Sequence, residues 1–478
     1  MSNNCCSKTD KGRVGRVDLA VIGAGSAGFS AAITAAEQGA NVVLIGHGTI
    51  GGSCVNVGCV PSKTLIRATE TLHQSQAASR FSGINGGTKL QDWSSLISQK
   101  DQLVADLRQA KYSDLLPAYD NISYLEGIAR FEDGELTVNG DVLDASKIII
   151  ATGSKAVIPP IAGIETVECL TSTEALDLSE LPKSLLVIGG GYIGCEIAQM
   201  LARAGVDVTI VCRSRLLPEG EPEISEALTA FLQDEGITVL DGLAYEEIFQ
   251  DKGQVTLLAR KDGQRLKVIG ERLLVTAGRA ANIESLNLPA AGIEIGENGG
   301  IRVDEHMRTS REGIYAAGDV TGRDQFVYMA AYGAKIAANN ALNGDSRQYD
   351  ATAMPAVVFS DPQVASVGLT EADARSRGLS VKTSVLPLEH LPRALAARDT
   401  RGLIKLVAET GSNKLIGAHI LAPEGADSIQ TAVMAIKGGL TVQDLADTIF
   451  PYLTTVEGFK LAAQTFDKEL KILSCCAG

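Results

Sequence analysis

Two pairs of cysteines are the residues of this chain best suited to redox or metal chemistry. Cys54 and Cys59 enclose four residues within a glycine-rich stretch, and Cys475 and Cys476 are neighbours near the C-terminus. A disulfide between adjacent cysteines would close a strained ring and remove little chain entropy from the unfolded state. Two thiols on a terminal arm are better suited to a soft, thiophilic metal ion. The alternative is a frayed tail whose thiols have no role.

Length, composition and charge limit the classes of protein to consider. The 478 residues exceed what one hydrophobic core usually organises, so roughly two to four domains are expected. The formal net charge of −14 argues against a nucleic-acid or anionic-membrane partner. Without a bilayer-spanning apolar run or a signal-peptide segment, a cytoplasmic location and no stable membrane insertion are expected. Nine cysteines are too scattered for a disulfide scaffold, which favours catalysis or metal handling.

The segment from Asp18 to Ile45 has the pattern of a dinucleotide-binding βαβ unit. An apolar strand to Ile22 is followed by a glycine-rich turn, an alanine-rich helix to Gln38 and a second strand from Asn41. Glycines in such a turn let a pyrophosphate approach the backbone and the helix N-terminus. The turn residues that we expect to contact a nucleotide are Gly23, Gly25, Ser26 and Gly28.

The same unit recurs between Leu185 and Cys212, which predicts a second nucleotide site. Its turn contains Gly189, Gly191, Tyr192 and Gly194, and its second strand starts at Asp207. Each unit is later followed by an apolar strand that ends in small residues, Ala151-Thr152-Gly153 for the first and Ala277-Gly278 for the second. Two nucleotide sites in one chain imply two cofactors and electron transfer between them.

The residues after the second strand of each unit indicate which nucleotide binds there. An acid at this position ordinarily holds the adenosine ribose, whereas arginine favours a 2′-phosphate. The second unit carries Arg213 and Arg215 and no acid, which predicts NADPH unless both arginines are merely solvated. The first unit carries Gly46 and His47, also without a carboxylate, and its ribose contact is left open.

The stretch around Cys54 and Cys59 resembles the active-site signature of the FAD-dependent pyridine nucleotide–disulfide oxidoreductases. It reads Gly-Gly-Ser-Cys-Val-Asn-Val-Gly-Cys-Val-Pro-Ser-Lys from Gly51 to Lys63, and we expect a helix to begin within it. A thiolate at a helix N-terminus is stabilised by the helix dipole. A second flavin motif of the family is matched from Gly313 to Asp319.

The resemblance implies roles for individual residues. Cys59 would lie nearer the flavin and Cys54 would be the exchanging thiol. Lys63 would pair with Glu196 beside the flavin, Tyr192 would move aside for the nicotinamide, and Asp319 would hold the ribityl or phosphate part of FAD. The other cofactor-binding residues implied are Gly51, Gly52, Ser53, Ala151, Thr152, Gly153, Gly278, Arg279 and Gly318.

A tyrosine near the C-terminus indicates a particular branch of this family. Disulfide-reducing members carry His-Pro-Thr-x-x-Glu, whose imidazole shuttles a proton to the leaving thiol. Here the matching stretch runs from Tyr452 to Glu457, with tyrosine at the histidine position. The tyrosine, the paired cysteines of the tail and the Phe359–Ala365 stretch are similar to the branch that reduces mercuric ion.

That branch implies an NADPH-dependent reduction of Hg(II) to Hg(0). Cys475 and Cys476 of the partner subunit would take Hg(II) from small thiols and pass it to Cys54 and Cys59, so the homodimer would share its active site. Tyr192 and Tyr452 would flank the metal, and Glu457 would complete the catalytic set. The competing interpretations are a low-molecular-weight disulfide reductase, a dihydrolipoyl dehydrogenase and a non-catalytic metal-sequestering protein.

The predicted fold class is α/β, with two Rossmann-like domains for FAD and NADPH and an α+β C-terminal dimerisation domain. The expected boundaries are a tail over 1–16, the FAD domain over 17–153 and 281–350, the NADPH domain over 154–280, the dimerisation domain over 351–470 and a tail over 471–478. Many members of the branch carry one or two small metal-binding modules with a Gly-Met-Thr-Cys-x-x-Cys loop, and this sequence contains no such loop. Cys5 and Cys6 stand in the N-terminal tail as a minimal metal-collecting pair or as part of an inert segment.

Overall fold

A computed structural model describes residues 16–470. The first stretch begins with a parallel-strand and helix pattern and continues into short antiparallel strands. Its elements are β1 (Val17–Ile22), α1 (Ser26–Ala36), β2 (Val42–Gly46), α2 (Gly52–Val57), α3 (Cys59–Gln76), α4 (Trp93–Arg108), β3 (Ile122–Glu126), β4 (Ala129–Glu132), β5 (Glu135–Val138), β6 (Asp141–Val142), β7 (Ala145–Ile150) and β8 (Ser154–Ala156).

The middle of the chain repeats the strand–helix–strand order and adds an antiparallel meander. Its elements are β9 (Cys169–Leu170), α5 (Ser172–Leu176), β10 (Ser184–Ile188), α6 (Tyr192–Arg203), β11 (Asp207–Val211), α7 (Pro222–Asp234), β12 (Thr238–Leu240), β13 (Ala244–Asp251), β14 (Gln254–Lys261), β15 (Gln264–Gly270), β16 (Arg272–Val275) and β17 (Arg279–Ala281).

The last stretch ends in a five-stranded antiparallel sheet with helices. Its elements are β18 (Ile314–Ala316), α8 (Val327–Asn343), β19 (Pro355–Val358), β20 (Gln363–Gly368), α9 (Glu371–Ser376), β21 (Val381–Pro387), α10 (Pro392–Ala397), β22 (Leu403–Glu409), β23 (Leu415–Ala422), α11 (Gly425–Gly438), α12 (Val442–Asp447) and α13 (Glu457–Gln464). The order of the strands in this sheet is β19-β20-β23-β22-β21.

The chain divides into two compact units. The first unit comprises residues up to 60, residues 102–155 and residues 279–350. Its sheet is parallel in the order β18-β7-β1-β2-β3. Helices α1 and α8 pack on one face, where buried alanines keep the layers close, and the β4–β6 meander covers the other. Because the sheet is covered on both faces, its central strands read as continuous apolar runs.

The second unit comprises residues 61–101, residues 156–278 and the chain from 351 onward. It holds a second parallel sheet in the order β12-β11-β10-β16-β9 and the antiparallel C-terminal sheet. The two Rossmann-like sheets and the mixed C-terminal part agree with the α/β class expected from the sequence. No helix within residues 16–470 is both long and apolar enough to cross a bilayer.

A buried lysine fixes the C-terminal sheet to the segment that precedes α7. Lys405 on β22 is 2% exposed, and its Nζ lies 2.9 Å from Glu221, 2.8 Å from Glu223 and 3.0 Å from Glu371. The Glu221 side chain is 1% exposed, so its charge depends on this cation. Since a buried charge without a partner is very unfavourable, the cluster holds these segments in one arrangement.

Replacing Lys405 with methionine should therefore destabilise the second unit. Loss of one partner of a buried ion pair costs about 3–5 kcal/mol, which lowers the apparent Tm by about 5 °C or more. Thermal unfolding of the full-length holoprotein measures this. Lys414→Met, at an exposed lysine after β22, is the matched control and should leave Tm nearly unchanged. Equal Tm values for the two variants would contradict the assigned role of Lys405.

Candidate active site

The glycine-rich turn between β1 and α1 forms a backbone cradle in the first unit. Gly23 has a φ of 117°, and a Cβ on Gly28 would collide with the Gly23 carbonyl oxygen. Glycine at these two positions is thus required by the close approach of helix to strand. Gly25 is the N-cap of α1 and supplies no side-chain cap, so the amides of the first turn are available to an anion.

A second motif lies at the same edge of this sheet. β18 runs parallel to β7, and Gly318 follows it with a φ of 77°. Asp319 accepts a hydrogen bond from Ser154 Oγ at 2.7 Å, and Arg279 donates to Ser154 Oγ at 2.8 Å and to its carbonyl oxygen at 2.7 Å. Ser154 belongs to no recognisable sequence motif and was not among the predicted site residues. It joins two predicted cofactor residues into one hydrogen-bonded group.

The two cysteines of the signature lie in the first turns of two successive helices. Cys54 lies in the first turn of α2, and Cys59 is the first residue of the 18-residue helix α3. Gly58 separates the helices with a φ of −127° and a ψ of −107°. Both cysteines are half-buried. The expected helix over this stretch is therefore present as two helices, and each cysteine lies where a helix dipole favours a thiolate.

Residues at the end of α4 hold the loop that carries Cys54. The Asn56 amide donates to the carbonyl oxygens of Ile50 and Gly52, each at 2.9 Å, and accepts from Arg108 Nη1 at 3.0 Å. All of the polar atoms of the Asn56 side chain are thus engaged in holding the loop. No sequence periodicity relates Arg108 to position 56, so this contact could not be predicted from the sequence.

Tyr112 adds a phenol next to the cysteine loop. It lies in a π-helical turn over Gln109–Ser113 and shares a hydrogen bond of 3.2 Å with Ser26 Oγ. Burial raises the pKa of Tyr112, and the nearby Cys54 and Cys59 raise it further. π-Helical turns occur often at functional sites. Tyr112 is a second residue that the motifs did not indicate.

In the second unit, Glu196 is the central buried group. Its carboxylate accepts from Lys63 Nζ at 2.7 Å through one oxygen and from the Phe359 backbone amide at 2.9 Å through the other. The Lys63 ammonium also lies 4.8 Å from the centre of the Phe359 ring. The structure thus brings together the two residues that the resemblance pairs. Phe359 was expected only as part of a motif, and the structure gives it this contact.

The second glycine-rich turn leads into α6, the helix that carries Glu196. Tyr192 is the first residue of α6 and Gly191 is its N-cap, where a Cβ would meet open space. A Cβ on Gly194 would collide with the Gly189 carbonyl oxygen, as in the first turn. Burial raises the pKa of Tyr192, and Glu219 raises it further, so its phenol is neutral at physiological pH.

The two arginines after β11 differ in their contacts. Arg215 donates to the carbonyl oxygens of Pro218 at 2.9 Å and Gly220 at 2.6 Å, whereas Arg213 is exposed. Lys261 at the end of β14 forms an ion pair of 2.7 Å with Asp241, which follows the neighbouring strand β12. Arg213 is therefore the arginine better placed to meet an added phosphate, and the two other charges were not identified from the sequence.

Tyr452 and Glu457 differ in their exposure to solvent. The Tyr452 side chain is exposed, whereas Glu457 is 3% exposed at the start of α13. Glu457 accepts a hydrogen bond from the Leu453 amide at 3.2 Å. Burial raises the pKa of Glu457, against the lowering effect of that hydrogen bond. Glu457 therefore holds the turn that presents Tyr452.

The remaining cysteines have other environments. Cys195 is fully buried, and burial raises its pKa; burial also raises the pKa of Cys212 to about 11. Both are therefore poor nucleophiles at neutral pH. Cys5, Cys6, Cys475 and Cys476 lie outside the described residues. Within residues 16–470, no three histidine, cysteine or carboxylate side chains converge into a metal site.

The two acceptors of Glu196 can be separated by substitution. Glu196→Gln keeps an acceptor for the Phe359 amide and removes the charge, whereas Glu196→Ala removes both. Leaving that amide without an acceptor costs about 1–3 kcal/mol, so the alanine variant should melt several degrees below the glutamine variant. Thermal unfolding measures this, with Glu70→Ala as the control, because Glu70 is a half-buried partner of the exposed Arg67 on α3. Identical melting of both Glu196 variants would contradict the structural role of the Phe359 contact.

Comparison with known proteins agrees with this geometry. Residues 17–337 match the pyridine nucleotide-disulphide oxidoreductase family model, and residues 354–463 match its dimerisation domain, which supports a homodimer. A mercuric reductase of Lysinibacillus sphaericus is 47% identical over 96% of this chain and 84% of its own length. One of Streptomyces lividans is 47% identical over 96% of this chain and 98% of its own.

A solved structure gives the same fold. The Cu(II) complex of the HOCl-induced flavoprotein disulfide reductase RclA from Escherichia coli is 31% identical, with a TM-score of 0.83 over 95% of this chain and all of that one. The family match covers more than half of the chain, and the relatives match nearly its whole length. The chain belongs to the pyridine nucleotide–disulphide oxidoreductase family.

Proposed function

We propose that this protein reduces Hg(II) to Hg(0) with electrons from NADPH, and so detoxifies mercury. One observation carries the proposal. Cys54 lies in the first turn of α2 and Cys59 begins the next helix, α3, in a chain that is similar over nearly its full length to mercuric reductases. The overall reaction converts NADPH and Hg(II) into NADP⁺, a proton and Hg(0). Tyrosine at 452, in place of the histidine of disulfide-reducing relatives, supports a metal ion over a disulfide as substrate.

The residues present fit an FAD molecule in the first unit. The uncapped α1 N-terminus suits a pyrophosphate, and the group of Ser154, Arg279 and Asp319 offers charged and polar atoms at the same sheet edge. When bound, FAD would supply two-electron transfer from NADPH to Hg(II) held by the thiolates of Cys54 and Cys59. We assign the FAD domain to 17–153 and 281–350, the NADPH domain to 154–280 and the dimerisation domain to 351–470.

The chain's own groups would act on the substrate by thiol exchange. Hg(II) prefers two soft thiolates, so each transfer trades one sulfur for another and never requires a bare ion. Cys475 and Cys476 of the partner subunit would receive Hg(II) from small thiols and hand it to Cys54 and Cys59. We further propose a cytoplasmic location, where thiols are kept reduced. The thiolates at 54 and 59 would be stabilised by their helix N-termini.

The proposal predicts Hg(II)-dependent NADPH oxidation under anaerobic conditions. With excess small thiol, the wild type should consume NADPH and release volatile mercury. Cys475→Ser/Cys476→Ser should be slower by about tenfold or more, since one exchange step is lost. NADPH-dependent reduction of ferricyanide, which needs no terminal thiols, should be unchanged in this variant. Cys169→Ser, at a half-buried cysteine outside the motifs, is the matched control.

Activity with different substrates distinguishes a mercuric-ion reductase from the nearest alternative, a low-molecular-weight disulfide reductase. A wild-type protein that reduces glutathione disulfide or lipoamide, and shows no Hg(II)-dependent oxidation of NADPH, would contradict the proposal. The purified protein should show a flavin absorption spectrum that bleaches when NADPH is added. Absence of this spectrum, or a spectrum that does not bleach, would contradict the redox function altogether.

A separate variant tests the N-terminal pair. If Cys5 and Cys6 collect metal, Cys5→Ser/Cys6→Ser should slow mercury transfer when small thiols are scarce and leave it unchanged when they are abundant. Stopped-flow measurement of NADPH oxidation at both thiol concentrations separates these cases. Equal rates at low thiol would show that the pair has no such role.

A further inference from the structure

The end of β2 lacks the side chain that a dinucleotide fold ordinarily uses for the adenosine ribose. An acid at this point normally accepts the ribose hydroxyls. Gly46 is the last residue of β2, and the next residue, His47, is exposed. The first unit nevertheless keeps the other parts of the cradle, including the glycine turn and the uncapped helix. Another group must therefore serve the ribose if FAD binds here.

The space beyond Gly46 is filled by a side chain of the neighbouring strand. A Cβ on Gly46 would collide with Tyr124 Oη, and it would lie 2.8 Å from Tyr124 Cε2 and 2.9 Å from the Cβ of Ala24. Tyr124 belongs to β3, which is parallel to β2. In this pairing Tyr124 lies opposite Leu44. Ala24 belongs to the glycine-rich turn. The phenol of Tyr124 thus lies at the end of β2, next to the cradle.

The Tyr124 hydroxyl has the chemistry of a ribose ligand. Within the described part of the chain, no protein group makes a hydrogen bond with it, and the side chain is 36% exposed. Burial raises the pKa of Tyr124, and Glu126 raises it further, so the hydroxyl stays protonated at neutral pH. A protonated phenol both donates and accepts, which suits a vicinal diol.

We propose that Tyr124 binds the adenosine ribose of FAD through its hydroxyl, in place of the missing acid at Gly46. This inference rests on the proposed function, because it takes FAD as the nucleotide of the first unit. It explains why position 46 is glycine, since any side chain there would displace the phenol. Glu126 and His47 are the competing ribose ligands. All three side chains are exposed, but of these only Tyr124 occupies the space next to Gly46.

The test is the equilibrium dissociation constant of FAD, measured by flavin fluorescence on the full-length holoprotein after dilution. Tyr124→Phe removes one hydrogen bond and keeps the ring, so the constant should rise about fivefold. An FAD analogue that lacks both hydroxyls of the adenosine ribose should bind wild type and Tyr124→Phe equally. Tyr119→Phe is the matched control, since its phenol contacts Glu37 at the surface, and it should leave FAD binding unchanged.

Each outcome separates the inference from the function on which it rests. A wild type that binds no FAD would overturn the proposed function. Equal dissociation constants of FAD for the wild type and Tyr124→Phe would overturn the inference alone. A loss confined to Glu126→Gln or His47→Ala would also overturn it. If Tyr124→Phe bound the analogue more weakly than the wild type does, the weaker FAD binding would come from a change in folding. That result would also reject the ribose contact.

Discussion

The buried carboxylate of Glu196 is the constraint on which the second unit depends. Its side chain is only 7% exposed, so its charge must be compensated inside the protein. Lys63 of α3 supplies the cation, and the amide of Phe359 supplies a further donor. Three segments distant in sequence must therefore meet at one group. α6 begins with Tyr192, so the contacts of Glu196 hold this helix against the turn of α3 that carries Lys63.

The same face of α6 continues this arrangement with a network of ions. Gln199 donates to the Asp361 carbonyl oxygen at 2.8 Å, and Arg203 pairs with Glu235 at 2.7 Å and with Asp361 at 3.0 Å. Glu196, Gln199 and Arg203 follow helical spacing and so line one side of the helix. Arg401 pairs with the other carboxylate oxygen of Asp361 at 3.1 Å. The polar groups compensate one another, which lets a helix with a polar stripe remain buried.

Much of the fold could be predicted from the sequence because its signals are local. Buried parallel strands such as β1 read as apolar runs, and the glycines of the two turns mark where strand and helix approach closely. The contacts that the sequence did not reveal join residues far apart in the chain, such as Arg108 with Asn56 and Ser154 with Asp319. Neither periodicity nor spacing relates such partners. Likewise, the charges near β11 come from the adjacent strand and hairpin, whose positions only the sheet order defines.

The contacts of Glu457 are consistent with a tyrosine, rather than a histidine, at position 452. A glutamate that orients a histidine needs an oxygen directed at the imidazole, but here one carboxylate oxygen accepts the Leu453 amide and the side chain is buried. Burial also raises the pKa of Glu457, which makes it a weaker partner for a cation. A tyrosine such as the exposed Tyr452 is a poor proton shuttle near neutral pH, since the ordinary pKa of a phenol is about 10. Reduction of a metal ion cleaves no sulfur–sulfur bond, so it does not require a histidine at this position to protonate a thiol released from a disulfide.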